Sequence, residues 1–325
     1  MLANIKKTFS PMPAILAEAK QGRQSGYNVF VNGLLAFLVG IGSVLVESAA
    51  IIPLYIGGLL LSKFGGIKFS SDHQMLAQLA VTAVPIIVLL IYVRLVEKRS
   101  SRTMGFVKEH AVTDYLLGMV IAFAMFSACV GVCVATGAMT FGGYTLNGRF
   151  LLLATFFLGF LIQGASEETV CRGFMMTSFG SKGGALAGML FNSLVFGALH
   201  LLNSGVTVLS IANVTLFGVL MSVIVLKLNS IWLACALHSI WNFVQGNFYG
   251  VLVSGGNFGT SVFSFKSVEG RELLNGGAFG MEGGLATTCV VTVVIIIFLL
   301  IKPREPAKVE TPAEASACEK TANQA

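Results

Sequence analysis

Gly164-Ala165-Ser166-Glu167-Glu168-Thr169-Val170-Cys171-Arg172-Gly173 closes an almost uninterrupted apolar run that begins at Phe150. Three ionisable side chains stand where a lipid-spanning helix would carry apolar ones. A charge at the centre of such a helix costs roughly 2.5–3.5 kcal/mol on insertion scales, so three close together call for a compensating role. Helix geometry separates the two acids. Glu168 and Arg172 are four apart with the acid N-terminal, the favoured order for an ion pair on one face, whereas Glu167 is turned about 100° away. Glu168 therefore has a partner on its own helix and Glu167 has none. The competing reading is structural: all three act as glue between helices, or form the last turn of a helix already clear of the lipid. Intramembrane charges default to function, which favours the first reading.

The composition agrees with a membrane setting. Of 325 residues, 55% are hydrophobic and only 11% charged, against about 25% charged in soluble domains. The net charge of +6 comes from basic residues scattered in short loops between apolar runs, with no patch suited to nucleic acid. Of the six cysteines, Cys129, Cys133, Cys171, Cys235 and Cys289 lie in or beside apolar runs and Cys318 lies in a polar tail, with no CxxC zinc pattern. This distribution argues against a disulfide framework.

The apolar runs predict an all-α, polytopic membrane helix bundle of about eight transmembrane helices: 28–61 (with Glu47 and Pro53), 75–96, 112–138, 150–179, 185–202, 206–226, 230–253 and 285–301. Residues 1–27 read as an interfacial arm, 28–302 as one membrane-embedded domain and 303–325 as a disordered tail. Glu47 reads as a packed or interfacial carboxylate, because no second polar residue lies at helical spacing from it. An even number of spans puts both termini on one side. Sixteen Lys and Arg residues fall on that side and five (Lys63, Lys68, Arg149, Lys266 and Arg271) on the other. The positive-inside rule then predicts a multi-pass protein of the cell membrane with both termini cytoplasmic.

Two further polar pairs interrupt the spans. Phe196 and His200 stand four apart on the fifth, and His238 and Asn242 on the seventh, each pair on one helix face. For a lone intramembrane histidine an interhelical hydrogen bond is at least as good an explanation as catalysis. Here two histidines accompany an amide and an acid pair. Glu167-Glu168-xxx-Arg172, Phe196-xxx-His200 and His238-xxx-Asn242, in that order on successive spans, resemble the motifs of the CPBP family, which comprises CAAX prenyl endopeptidases and bacteriocin-processing membrane proteases. The resemblance covers residues 149–242 in the main. Asn229-Ser230-Ile231-Trp232 is also similar to the family, and Gly276 to Gly283 resembles a segment of bacterial members. Cys171 departs from the pattern, because an aromatic residue often precedes the arginine; Phe174 and Phe179 are at hand to fill that space.

The resemblance implies a membrane-embedded endopeptidase in which Glu167 and His200 activate a water, His238 and Asn242 stabilise the oxyanion, and Glu168 and Arg172 hold the site together. Residue chemistry points the same way: the unpaired carboxylate is free to act as base, and imidazole and amide N–H groups suit a tetrahedral intermediate. The substrate implied is a membrane-associated protein or peptide, with the lipid bilayer as the other partner, no cofactor, and an oligomeric state that the sequence leaves open. Two alternatives remain at this point. Glu167, His200 and His238 would together form a His₂Glu zinc site converging from three helices, although H-E-x-x-H is absent. The chain would otherwise be a non-catalytic bacteriocin-immunity or binding protein. At about 1.5 Å rise per residue, Glu167 lies roughly 20 Å from Gly180, His200 about 25 Å from Gly183 and His238 about 12 Å from Ser230. The three align if the hairpin at 174–186 projects about 10 Å from the bilayer, which would put the site in its cytoplasmic third.

Overall fold

The computed structural model describes residues 2–10, 12–22, 27–66 and 69–305. Most of the tail expected to be disordered, residues 306–325 with Cys318, lies outside the described residues, as do Arg23 and Lys68. Two short helices, α1 (Leu2–Phe9) and α2 (Ala14–Gly22), precede the bundle. The spans are α3 (Val29–Phe64), α4 with α5 (Ser71–Val81, Ala83–Leu95), α6 (Ala111–Ala135), α7 continuing through a π-helical turn into α8 (Phe150–Glu168, Thr169–Met176, Thr177–Gly183), α9 (Ala185–Leu199), α10 (Val208–Leu228), α11 with a π-helical end (Trp232–Phe243, Val244–Phe248) and α13 (Leu285–Leu300). Five of these stretches are long and apolar enough to cross a membrane: 29–64, 71–95, 111–135, 150–183 and 208–228. The chain is thus an all-α membrane helix bundle. A two-stranded antiparallel ribbon, β1 (Met139–Tyr144) with β2 (Phe263–Ser267), and the one-turn helix α12 (Glu272–Asn275) are additions that apolar periodicity does not announce.

Polar contacts sort the connections onto two faces. On the first, Lys227 Nζ donates to the carbonyls of Asn4, Leu299 and Ile301, Arg304 forms a two-pronged ion pair with Asp114 at 2.7 and 2.8 Å, and Trp232 Nε1 donates to Val107 O. The N-terminal helices belong to this face: Ile15 N donates to Asn229 Oδ1, and Leu16 and Ala19 are buried against the bundle. On the second face, β1 pairs with β2, Asn275 Nδ2 donates to Ala138 O, and Asn203 Nδ2 donates to Ser254 O. The grouping agrees with the alternation of eight spans.

Contact between α7 and α11 sets the site. A Cβ at Gly164 would collide with the Ser239 backbone, so only glycine lets these helices approach so closely. Directly after the acid pair, α7 opens into the π-helical turn at Thr169–Met176, and α11 does the same at Val244–Phe248, just after Asn242. Such widened turns are frequent at functional sites.

Candidate active site

Glu168 and Arg172 are fully buried and form the ion pair that their spacing predicts, Nη1 to Oε1 at 2.8 Å. The same oxygen also faces His238 Nδ1 at 2.8 Å. A carboxylate opposite a guanidinium is an acceptor, so the imidazole hydrogen on this side lies on Nδ1. Nε2 of His238 then points to the other acid, 3.6 Å from Glu167 Oε2. The Arg172 guanidinium also lies over the Phe196 ring, 4.6 Å from its centroid, and that ring meets both His200 and His238 edge-on. Phe196 therefore ties the second motif to the first and third.

Glu167 is partly exposed, and its Oε1 accepts a hydrogen bond from Gln163 Nε2, one turn earlier on α7. Gln163 Oε1 in turn accepts from Asn242 Nδ2 at 2.9 Å. Arg172, Glu168 and His238 thus form one hydrogen-bonded group, Glu167, Gln163 and Asn242 form another, and the two face each other across 3.6 Å between His238 Nε2 and Glu167 Oε2. His200 is set apart. It caps the end of α9 with Nδ1 2.8 Å from Phe196 O, and it reaches the others through the cavity they share.

That cavity has a volume of about 480 Å³ and is walled by Glu167, His200, His238, Asn242 and Gln163. Three residues of the wall, Gln163, Glu47 and Glu282, are outside the site residues expected from the sequence. Gln163 carried a signal, being four before Glu167. Glu47, read as a packed or interfacial carboxylate, lines the cavity from α3 because the chain fold, not helical spacing, supplies its polar neighbours. Glu282, from the glycine-rich stretch before α13, is buried in the wall; its carboxylate accepts from Ser254 N at 2.7 Å, Ser254 Oγ at 3.1 Å and Gln245 Nε2 at 3.0 Å. His73 and His110 are elsewhere: His73 closes the capping box of α4, and His110 precedes α6.

Among the described residues, no three His, Cys, Asp or Glu side chains are placed to hold a metal ion. In the trio Glu167, His200 and His238, His238 Nε2 faces Glu167, whereas the polar contact of His200 is to Phe196 O on its own helix.

The expected depth also changes. Glu167 stands about 25 Å of helix rise from Phe150 and about 24 Å from Gly183, midway along the α7–α8 stretch. His200 lies at the second-face end of α9, and the turns around the cavity, at 202–204 and 253–258, belong to that face too. The cavity is not in the half nearer the termini. The cytoplasmic third was expected because the residue count let the hairpin at 174–186 project about 10 Å from the bilayer.

Residues 149–244 match the family model described as Rce1-like, type II CAAX prenyl endopeptidase Rce1-like. No curated protein matches the chain. The matched segment runs from the start of α7 to the end of α11 and contains all three polar motifs, consistent with a CPBP family intramembrane protease.

Proposed function

From this Rce1-like segment, which supports an intramembrane endopeptidase in general, we propose that the chain hydrolyses a peptide bond of a membrane-associated protein or peptide with a glutamate-activated water. The observation that carries the reading is the different setting of the two adjacent acids. Glu168 is spent on Arg172 and His238, while Glu167 faces the cavity with the Gln163 amide bonded to it and His238 Nε2 at 3.6 Å. Water between Glu167 and His200 attacks the substrate carbonyl carbon as Glu167 takes one of its protons. His238, through Nε2–H of its imidazolium form, and the second amide hydrogen of Asn242 donate to the oxyanion. The carbon–nitrogen bond then breaks, and Glu167 passes its proton to the leaving nitrogen, which returns the site to its starting state. Glu168 and Arg172 position His238 and do not touch the substrate.

Each of the six motif residues named above has a use in this scheme without a metal, which is why it is preferred to a zinc site. We place the protein in the cell membrane with both termini cytoplasmic, on the charge asymmetry of the loops. Comparing membrane peptides from cells carrying the wild type with those from cells carrying Glu167→Gln tests the function. A peptide that accumulates uncut only in the variant identifies the substrate. Identical peptide profiles, with both proteins present in the membrane, would favour a binding protein instead.

A further inference from the structure

The cavity runs from the middle of the bundle toward one face. Among the helix residues that line it, Glu47, Glu167, His238, Trp241 and Asn242 lie near mid-span, whereas Met75 to Thr82, Phe160 to Gln163, Phe196 to His200, Asn213 to Phe217 and Thr287 lie toward the ends that meet the β1–β2 face. The rest of the wall is made by connections on that face: Leu202 to Ser204, Val253 to Phe258, and Glu282. These connections are tied together, with Gly255 N donating to Phe279 O at 2.7 Å and Asn213 Nδ2 to Glu282 O at 2.7 Å. Toward the termini the bundle is closed. Glu168, Arg172, Cys171 and Phe174 are 0–1% exposed and stop the cavity from below.

The rim offers two openings. Leu202 is 97% exposed and Ser204 is exposed beside it, at the free edge of the turn after His200. On α4, Gln78 is exposed at the cavity rim, with Glu47 in the same wall. An exposed amide at the rim suits a lateral slot through which a substrate helix end can bend in. The described residues of the N-terminal arm, the 96–110 loop, the turn at 229–231 and residues 301–305 lie on the far side, and they hold nine of the sixteen basic residues that the positive-inside rule assigns to the cytoplasm.

We propose that the active-site cavity is reached from the extracytoplasmic side, so that the substrate is a segment already exported, or the outer end of a membrane-spanning peptide, and not a cytoplasmic tail. The side of access rests on the placement of the rim and the charge count; the substrate rests in addition on the endopeptidase reading above. An extended peptide lying over the 202–204 and 253–258 turns would present its backbone to Glu167 from above, while the Glu168–Arg172 pair seals the floor against the cytoplasm.

The experiment uses the full-length chain in intact cells, with Cys289 and Cys318 replaced by alanine and a single cysteine introduced at Ser204→Cys, Leu202→Cys or Glu109→Cys. The four remaining native thiols, Cys129, Cys133, Cys171 and Cys235, are buried. A membrane-impermeant maleimide should label either rim cysteine in intact cells and Glu109→Cys only after the membrane is opened. The bulky adduct at Ser204→Cys should then slow, at least tenfold, cleavage of the peptide that accumulates in Glu167→Gln cells, whereas the adduct at Glu109→Cys should change it less than twofold. Labelling of both rim cysteines only after opening overturns the proposal, and so does undiminished cleavage by the labelled rim variants. If the wild type cuts no peptide, the endopeptidase reading fails, and the labelling alone still decides the side.

Discussion

His238 Nδ1 and Glu168 Oε1 are 2.8 Å apart, and this oxygen is the one that also takes Arg172 Nη1 at 2.8 Å. One buried carboxylate oxygen therefore joins the arginine of the first motif to the histidine of the third. The pair within α7 and the contact between α7 and α11 are a single unit.

Removing the guanidinium should break that unit. Arg172→Ala leaves the buried Glu168 carboxylate with His238 as its remaining partner, and breaking a buried ion pair by removing one member typically costs about 3–5 kcal/mol. Thermal unfolding in detergent should show a clear drop for Arg172→Ala, and a smaller one for Arg172→Lys. An unfolding temperature equal to that of the wild type would count against the pair.

Glu167→Gln should behave in the opposite way. The substitution keeps size and hydrogen-bonding capacity but removes the base, so activity should fall by about 10²–10⁴-fold while the unfolding temperature stays near that of the wild type. Retained cleavage by Glu167→Gln would assign the base to another group.

Gln163 offers a test of positioning. It holds Glu167 through one end of its amide and Asn242 through the other. Gln163→Leu should lower kcat by about tenfold or more with little change in KM, because it loosens the catalytic groups without removing them. A rise in KM alone would make Gln163 a substrate contact.

Gly164 is the packing counterpart. Any side chain there meets the Ser239 backbone, so Gly164→Val should push α7 from α11 and cost about 1–3 kcal/mol by overpacking. Cleavage should fall with it, as His238 moves away from both acids. A Gly164→Val protein of full stability and activity would mean that the helices can part without harm to the site.

Metal dependence can be read directly. Purified protein should keep its peptidase activity after exhaustive treatment with a strong zinc chelator. Loss of activity that returns with stoichiometric zinc, with the metal found by elemental analysis, would recast Glu167, His200 and His238 as ligands.

Much of this protein is local physics, and local physics is legible in a sequence. The apolar runs had to become helices because a backbone in lipid must satisfy its own hydrogen bonds, which fixed the bundle and its spans to within a few residues. The four-residue spacing of Glu168 and Arg172 put them on one helix face, and the lack of such a partner marked Glu167 as the free acid. What no spacing contained was which residues of distant spans would meet. Glu47 and Glu282 are separated from Glu167 by more than a hundred residues, and only the folded bundle sets them in one cavity wall. The tertiary structure likewise gave Glu168 a second partner in His238, because Gly164 lets α11 come within hydrogen-bond reach of α7. It also decided the face from which the cavity opens: the depth of each side chain depends on where its helix ends among its neighbours, and helix ends are set by packing, not by hydropathy.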